Sequence, residues 1–328
     1  MQAAIIGDGG WGTALALVLN RNGHHVTVWG PFADNIDAVT RNGVNETFLP
    51  NVPIPPTIKW TTTPEIAVAQ AELIVLAVPT KFYRDVLEKF KGHIPPTATV
   101  VSVTKGLDRD SHQTMTEIAA QILHTEHVAA LSGPSHAEEV AQGIPTAVVV
   151  AARLEADRLK VQSAFNGNAF RVYTSDDVTG VQIGGALKNV IAIAVGISDG
   201  LGFGDNTRAA LITRGLVEIT RLGIALQCQP ATFSGLSGMG DLIVTCTSKH
   251  SRNRGVGERL GRGESLNEIT SGMRQIAEGV WNCDNALALA KEHHVDLPIS
   301  QLVHQVLHRK IPPQLAVETL MARDTKPE

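Results

Sequence analysis

Three groups of residues in this 328-residue chain have the types and spacing to do chemistry. The first centres on Lys188, in Gly184-Gly185-Ala186-Leu187-Lys188-Asn189-Val190-Ile191-Ala192. At helical offsets of three, four and seven its neighbours are Val181, Gly184, Gly185, Ile191, Ala192 and Val195, all small or apolar. Lysine is almost never fully buried without a partner. Desolvation favours its neutral form, and a lysine poised near neutrality can exchange a proton with an alcohol or carbonyl oxygen. The plainer alternative is a lysine that snorkels to solvent or pairs with a carboxylate. Gly184 and Gly185 favour a functional role, because they let a ligand or another backbone come close. Asp241, in Gly238-Met239-Gly240-Asp241-Leu242, could set the charge state of Lys188 or bind a substrate hydroxyl; otherwise it is a turn aspartate.

The second group is Gly7-Asp8-Gly9-Gly10-Trp11-Gly12, a G-x-G-x-x-G run between a strand-like segment and a helical one. That context turns a weak motif into a dinucleotide fingerprint. Gly7 permits the tight turn, Gly9 lets a pyrophosphate approach the backbone, and Gly12 allows close packing of helix on strand. The helix N-terminus supplies free N–H groups and positive potential. Asp8 is unfavourable beside a pyrophosphate unless it points away. An acid at the end of the second strand would take the ribose 2′-hydroxyl of NAD. The chain has Trp29-Gly30-Pro31-Phe32 there, with no acid to repel a 2′-phosphate and no Arg to hold one. This predicts no strong NAD selectivity and leans towards NADP or dual use.

The third group is a set of anion donors. Thr104-Lys105-Gly106-Leu107 follows a strand, where ligands of doubly wound folds sit. Ser132-Gly133-Pro134-Ser135-His136-Ala137 follows the next strand; Pro134 suits a first helical turn and Ser135 can donate to a ligand oxygen. Ser251, Arg252 and Asn253 offer hydroxyl, guanidinium and amide donors in succession, and Arg suits bidentate phosphate contacts. From Ser248 to Arg262 there are five Lys or Arg against one Glu, a local net of +4. The plain alternatives are a solvated loop lysine, helix capping and a solvated basic face.

The elements that must position these groups differ between the two halves. Apolar runs at Ala3–Ile6, His25–Trp29, Leu73–Val78, Thr99–Val103, Val128–Leu131, Ala147–Val150 and Phe170–Tyr173 alternate with helical segments, the first at Thr13–Asn22. Such runs require a parallel sheet covered on both faces. From Ser175-Asp176-Asp177, a plausible N-cap, the chain reads helically to about Ser198, and helical segments follow near 208–226, 265–269, 282–293, 299–308 and 313–320. The expected class is α/β: a Rossmann-type doubly wound domain over 1–185, then an all-α domain over 186–328. Composition agrees. Length suggests two domains, and 43 % hydrophobic with 18 % charged residues allows a sizeable core. A net charge of −4 argues against a nucleic-acid binder. No membrane span or secretory leader is read, and Cys228, Cys246 and Cys283 suit a reducing cytoplasm. The histidines show no ligand spacing, so no metal is expected.

Taken in order, Gly7-Asp8-Gly9-Gly10-Trp11-Gly12-Thr13-Ala14, Thr104–Leu107, Ser132–Ser135, Gly184–Asn189, Gly238–Leu242 and Ser251-Arg252-Asn253-Arg254 resemble the bacterial NAD(P)-dependent glycerol-3-phosphate dehydrogenases, over essentially the whole chain. The resemblance implies reversible reduction of dihydroxyacetone phosphate to sn-glycerol 3-phosphate for glycerophospholipid synthesis. It implies that Lys188 is the acid/base at the C2 oxygen and that Asp241 contacts the substrate. Lys105, Gly133, Ser135, Ser251, Arg252 and Asn253 would line the substrate site. The cofactor would meet Gly10, Trp11, Lys105, Ala137, Arg252, Ile276 and Glu278. Members often carry a polar or basic residue where Pro31 stands, and Pro31 has no side-chain donor. A small phosphorylated three-carbon substrate is the expected partner, with a homodimer by analogy of fold. The rival enzyme is a β-hydroxyacid or 6-phosphogluconate-type dehydrogenase, against which the Ser251–Asn253 and Thr104–Leu107 segments speak. A non-catalytic NAD(P)-binding sensor would need the fingerprint but not the lysine.

Overall fold

The computed structural model of the chain describes residues 1–271, 273 and 277–324. They form two compact units, Met1–Asp108 with Gln113–Gln182, and Arg109–His112 with Ile183–Glu328.

The strands all belong to unit 1: β1 (Gln2–Ile6), β2 (His25–Trp29), β3 (Val44–Asn45), β4 (Leu49–Pro53), β5 (Lys59–Thr61), β6 (Leu73–Leu76), β7 (Thr99–Ser102), β8 (Val128–Ser132), β9 (Thr146–Ala152) and β10 (Phe170–Ser175). Its helices are α1 (Gly10–Arg21), α2 (Ala33–Asn42), α3 (Pro64–Val68), α4 (Tyr83–Phe90), α5 (Met115–Leu123), α6 (Ala137–Ala141) and α7 (Glu155–Phe165). Eight strands make one sheet in the order β10-β9-β8-β7-β6-β1-β2-β5, and β3 with β4 forms a small antiparallel pair. Side chains of β1 alternate between two cores. Ala3 and Ile5 pack with Leu15 and Leu19 on one face, while Ala4 and Ile6 pack with Tyr83 and Phe90 on the other. That double burial is why the central strands are continuously apolar.

β1 lies between β2 and β6, both parallel to it. The chain therefore leaves β1 towards one side of the sheet and later returns on the other. Such a reversal opens the crevice in which these folds bind ligands.

Three features depart from the sequence expectation. The sheet is not wholly parallel, because β8 and β9 run antiparallel, from Ala129 opposite Ala152 to Ser132 opposite Val149. Only the five-residue α6 lies between them, and a parallel return needs a longer crossover. β3, β4 and β5 are not legible in the sequence, because β3 and β5 have only two and three residues and β4 carries two prolines. α1 starts at Gly10, one turn before the apolar run that signals it.

The long helix α8 (Val178–Gly200) carries the chain into unit 2. Asp177 Oδ1 accepts from Gly180 N–H at 2.9 Å at its start. By length and hydropathy α8 could cross a membrane, but its most apolar window is wholly buried. Unit 2 continues with α9 (Asp205–Ala225), α10 (Pro230–Phe233), a π-helical turn at Leu236–Gly240, α11 (Asp241–Thr247), α12 (Arg252–Gly261), α13 (Leu266–Ser271), α14 (Glu278–Glu292), α15 (Pro298–Leu307) and α16 (Pro313–Met321). α10, α11 and α12 were not read from the sequence. α12 holds three glycines and little apolar residue, so its helicity comes from packing. A Cβ on Gly196 or Gly200 of α8 would run into the Arg254 or Glu258 carbonyl oxygen, and one on Gly257 or Gly261 into those of Ile193 and Ile197. Two G-x-x-x-G stripes thus bring the α8 and α12 backbones into contact.

Candidate active site

In unit 1 the expected cofactor residues converge at the end of β1. Gly7 has φ +119°, and a Cβ there would collide with the Ala77 carbonyl. A Cβ on Gly12 would collide with Gly7 O, and one on Gly10 would stand 2.6 Å from Phe48 O. These three glycines are required by the fold itself. Gly9 is different: no atom of the chain lies within 4 Å of where its Cβ would stand. The space beside it is open, as a pyrophosphate approaching this turn requires. Gly9 also caps α1, whose first turn has neither a side-chain cap nor an acid. The indole Nε1 of Trp11 is buried and has no hydrogen-bond partner. Ala137 opens α6, with its Cβ 3.9 Å from the Cβ position of Gly10. The turn therefore fits a dinucleotide.

Sequence reasoning missed Asn45. It is fully buried, and its Nδ2 donates to Asp8 O at 2.8 Å and Thr13 Oγ1 at 2.9 Å, tying the turn to α1. It lies on a two-residue strand whose register no local pattern reveals. Asp8 is buried, and its Oδ2 accepts from Asn35 Nδ2 at 2.7 Å. Burial raises its pKa, opposed by the hydrogen bond from Asn35.

Lys105, Gly133 and Ser135 come together. Lys105 Nζ donates to Gly133 O at 2.7 Å and to Ser135 Oγ at 3.2 Å, while Ser135 Oγ donates to Gly133 O at 2.9 Å. Gly133 has φ +139°. α6 starts at Ala137 with His136 at its N-cap, so neither Pro134 in a first turn nor Ser135 as a cap is correct.

In unit 2, Lys188 is buried and paired. Its Nζ donates to Asp241 Oδ1 and to Thr245 Oγ1, each at 2.6 Å. Lys188 is 6 % exposed and Asp241 1 %. Burial alone would favour a neutral amine; the adjacent carboxylate favours the ammonium that donates to both acceptors. The plainer sequence alternative, a paired lysine, is thus present on a face that is otherwise apolar. Thr245 was not anticipated; it lies one helical turn after Asp241, on α11, and donates to Asp241 O at 2.6 Å. Gly184 turns out to admit a backbone, since a Cβ there would stand 2.6 Å from Ser237 O in the π-helical turn that leads to Asp241.

Ser251 caps α12, accepting from Arg254 N–H at 3.2 Å. Arg252 follows as its first residue and is exposed. Asn253 is buried in a chain of amides: its Nδ2 donates to Asn189 Oδ1 at 2.8 Å, and its Oδ1 accepts from Gly279 N–H at 2.9 Å. That places Asn253 beside the start of α14, where Glu278 is the first residue. Ile276 lies outside the described residues. About half of the +4 is compensated from outside the segment, by Asp199 and Glu264, since Glu258 is already counted in it. Arg254 pairs with Asp199 at 2.7 Å, Arg259 with Glu264, and Arg262 with Glu258 at 2.5 Å.

The histidine reading needs correcting too. His304 and His308, four apart on α15, place their Nε2 atoms 3.4 and 3.5 Å from Asp284 Oδ1. Asp284 and His308 are exposed, and the distances exceed ordinary hydrogen bonds.

A dinucleotide turn at the switch point of a doubly wound sheet, followed by a helical unit with a buried lysine–carboxylate pair, defines a nicotinamide-nucleotide-dependent oxidoreductase. Residues 2–157 match the family model for the NAD-dependent glycerol-3-phosphate dehydrogenase N-terminus, and residues 177–318 that for its C-terminus. The chain belongs to this family. It is 47 % identical to a glycerol-3-phosphate dehydrogenase (NAD(P)+) of Anaeromyxobacter sp. (strain K), covering 100 % of both chains. A Fusobacterium nucleatum enzyme of the same name is also 47 % identical, with 100 % of this chain and 98 % of that one covered. The crystal structure of glycerol-3-phosphate dehydrogenase from Coxiella burnetii superposes with a TM-score of 0.93 at 40 % identity, covering 98 % of this chain and 99 % of the other.

Proposed function

We propose that the protein interconverts dihydroxyacetone phosphate and sn-glycerol 3-phosphate with NAD or NADP, and so supplies glycerol 3-phosphate for glycerophospholipid synthesis. The observation that carries this reading is the ammonium of Lys188, held on an apolar helix face by Asp241 and Thr245. The bound nicotinamide supplies or accepts the hydride. Lys188 donates to the carbonyl oxygen, stabilises the developing alkoxide and delivers the proton. Asp241 keeps Lys188 charged and oriented, and is the group to which a substrate hydroxyl donates. Gly9, Gly10, Trp11 and Ala137 hold the cofactor. Lys105, Ser135, Ser251, Arg252 and Asn253 supply donors for substrate oxygens, with Gly133 giving the close approach. Arg252, the exposed cation at the start of α12, is the residue best suited to phosphate. Binding the phosphate remote from the reacting carbon is what positions the carbonyl. Glu278 and Ile276 complete the cofactor site implied by the family.

A substrate panel with both reduced cofactors tests the reading. Dihydroxyacetone phosphate should oxidise NADH or NADPH, and carbonyl acids of the β-hydroxyacid class should not. The opposite pattern would favour the rival dehydrogenases, and oxidation with none of them a binding sensor.

The three cysteines are buried, and burial pushes the Cys246 thiol up to about 12. Three widely spaced, buried thiols suit a reducing cytoplasm. A homodimer formed through unit 2 is supported by exposed apolar side chains there, including Val217, Ile224 and Ile243.

A further inference from the structure

The second ribose of the cofactor is the part of the site that the glycine turn leaves undecided. In a doubly wound fold an acid at the end of the second strand takes the 2′-hydroxyl of NAD, and a cation there accommodates the 2′-phosphate of NADP. β2 ends at Trp29, and Gly30-Pro31-Phe32 that follow carry neither. The fold nevertheless delivers a carboxylate to that point from the neighbouring turn. A Cβ built on Gly30 would stand 2.5 Å from Asp8 Cγ and 2.6 Å from Asp8 Oδ2, so Asp8 fills the space where a side chain at position 30 would begin. The reason is register: Ile6 and Trp29 are partners on adjacent parallel strands, so the residues just beyond both strands emerge side by side.

Asp8 is held in place. Its Oδ2 accepts from Asn35 Nδ2 at 2.7 Å, its carbonyl accepts from Asn45 Nδ2 at 2.8 Å, and only 5 % of the residue is exposed. Asn45 fixes the main chain, and Asn35 is a neutral amide that orients the carboxylate without cancelling its charge. Asp34, in the first turn of α2, adds a second negative charge close along the chain.

We propose that Asp8 takes the place of the missing acid of β2 and sets cofactor preference, accepting from the adenosine ribose 2′-hydroxyl of NAD and repelling the 2′-phosphate of NADP. The sequence expectation of NADP or dual use considered only residues in line with β2. The role of Asp8 rests on the reading of the glycine turn as a dinucleotide site.

The test is direct binding to the full chain without substrate, by calorimetry near pH 8, where a carboxylate is ionised. ADP-ribose and 2′-phospho-ADP-ribose are the probes, since they differ only at the group in question. The wild type should bind ADP-ribose at least about tenfold more tightly, a typical scale for like charges brought together. Asp8→Asn should narrow that ratio to about threefold or less, chiefly by tighter binding of the phosphorylated probe. Asp8→Ser should do the same if the amide variant fails to fold. Equal or tighter wild-type binding of 2′-phospho-ADP-ribose would overturn the proposal. So would a ratio left unchanged in folded variants. Wild-type binding of neither probe would overturn the dinucleotide reading beneath it as well.

Discussion

Lys188 and Asp241 sit where an apolar pair of similar volume would stabilise the fold at least as well, because removing two charges from water costs as much as their attraction returns. An ion pair at such a position fits the acid/base role proposed for Lys188. Lys188→Ala should keep cofactor affinity, measured by fluorescence titration, while turnover falls by about 10³-fold or more. It also leaves Asp241 buried without its partner, at a cost of about 3–5 kcal/mol. Asp241→Asn is therefore the companion variant. It keeps the acceptor and the shape but removes the charge, and should lower kcat by about 10²-fold with a shifted pH profile. Wild-type turnover in a folded Lys188 variant would remove it from the acid/base role.

At the scale of elements, α8 is the member on which unit 2 depends. One turn of it carries Lys188 and Asn189, and two turns further on Gly196 and Gly200 meet Gly257 and Gly261 of α12. The same close contact brings Asn253, at the start of α12, within hydrogen-bond reach of Asn189. Gly196→Ala would press a methyl group into the Arg254 carbonyl, and should cost about 2–3 kcal/mol in urea unfolding. Gly255→Ala is the control. It lies on the facing helix α12 with nothing within 4 Å of its Cβ position, and should be neutral or stabilising by up to about 1 kcal/mol. Equal losses in the two variants would mean that helix propensity, not backbone contact, governs α12.

For the molecule as a whole, charge and apolar surface are distributed differently from what totals suggest. Asp199 is shared between Arg208 and Arg254, and Glu264 takes up Arg259, so the basic segment presents less than its formal +4. Unit 2 leaves Val217 and Ile224 exposed, seven residues apart and hence on one face of α9, at 36 % and 52 %. Ile243 on α11 is 44 % exposed. If a second copy covers them, sedimentation velocity at micromolar concentration should give twice the monomer mass, and Ile224→Glu with Ile243→Glu should shift it to the monomer. A wild-type monomer under those conditions would exclude the homodimer.

The sequence by itself determined what is local. Most of the sheet's strands are legible because a doubly covered strand must be continuously apolar, while edge strand β10 alternates buried Phe170 and Val172 with exposed Arg171 and Tyr173. The dinucleotide turn is legible because its glycines stand at fixed offsets between strand and helix. Lys188 stood out because helical periodicity surrounds it with small and apolar residues. Tertiary structure alone decided what depends on partners distant in the chain. No local rule pairs Lys188 with Thr245, turns β9 against β8, makes a helix of glycine-rich α12, or sends Arg254 to Asp199. Asp8 is the sharpest instance. In sequence it is a misplaced acid beside a phosphate turn, twenty-two residues from Gly30. In the fold it lies against Gly30, because parallel pairing of β1 with β2 brings the two strand ends together.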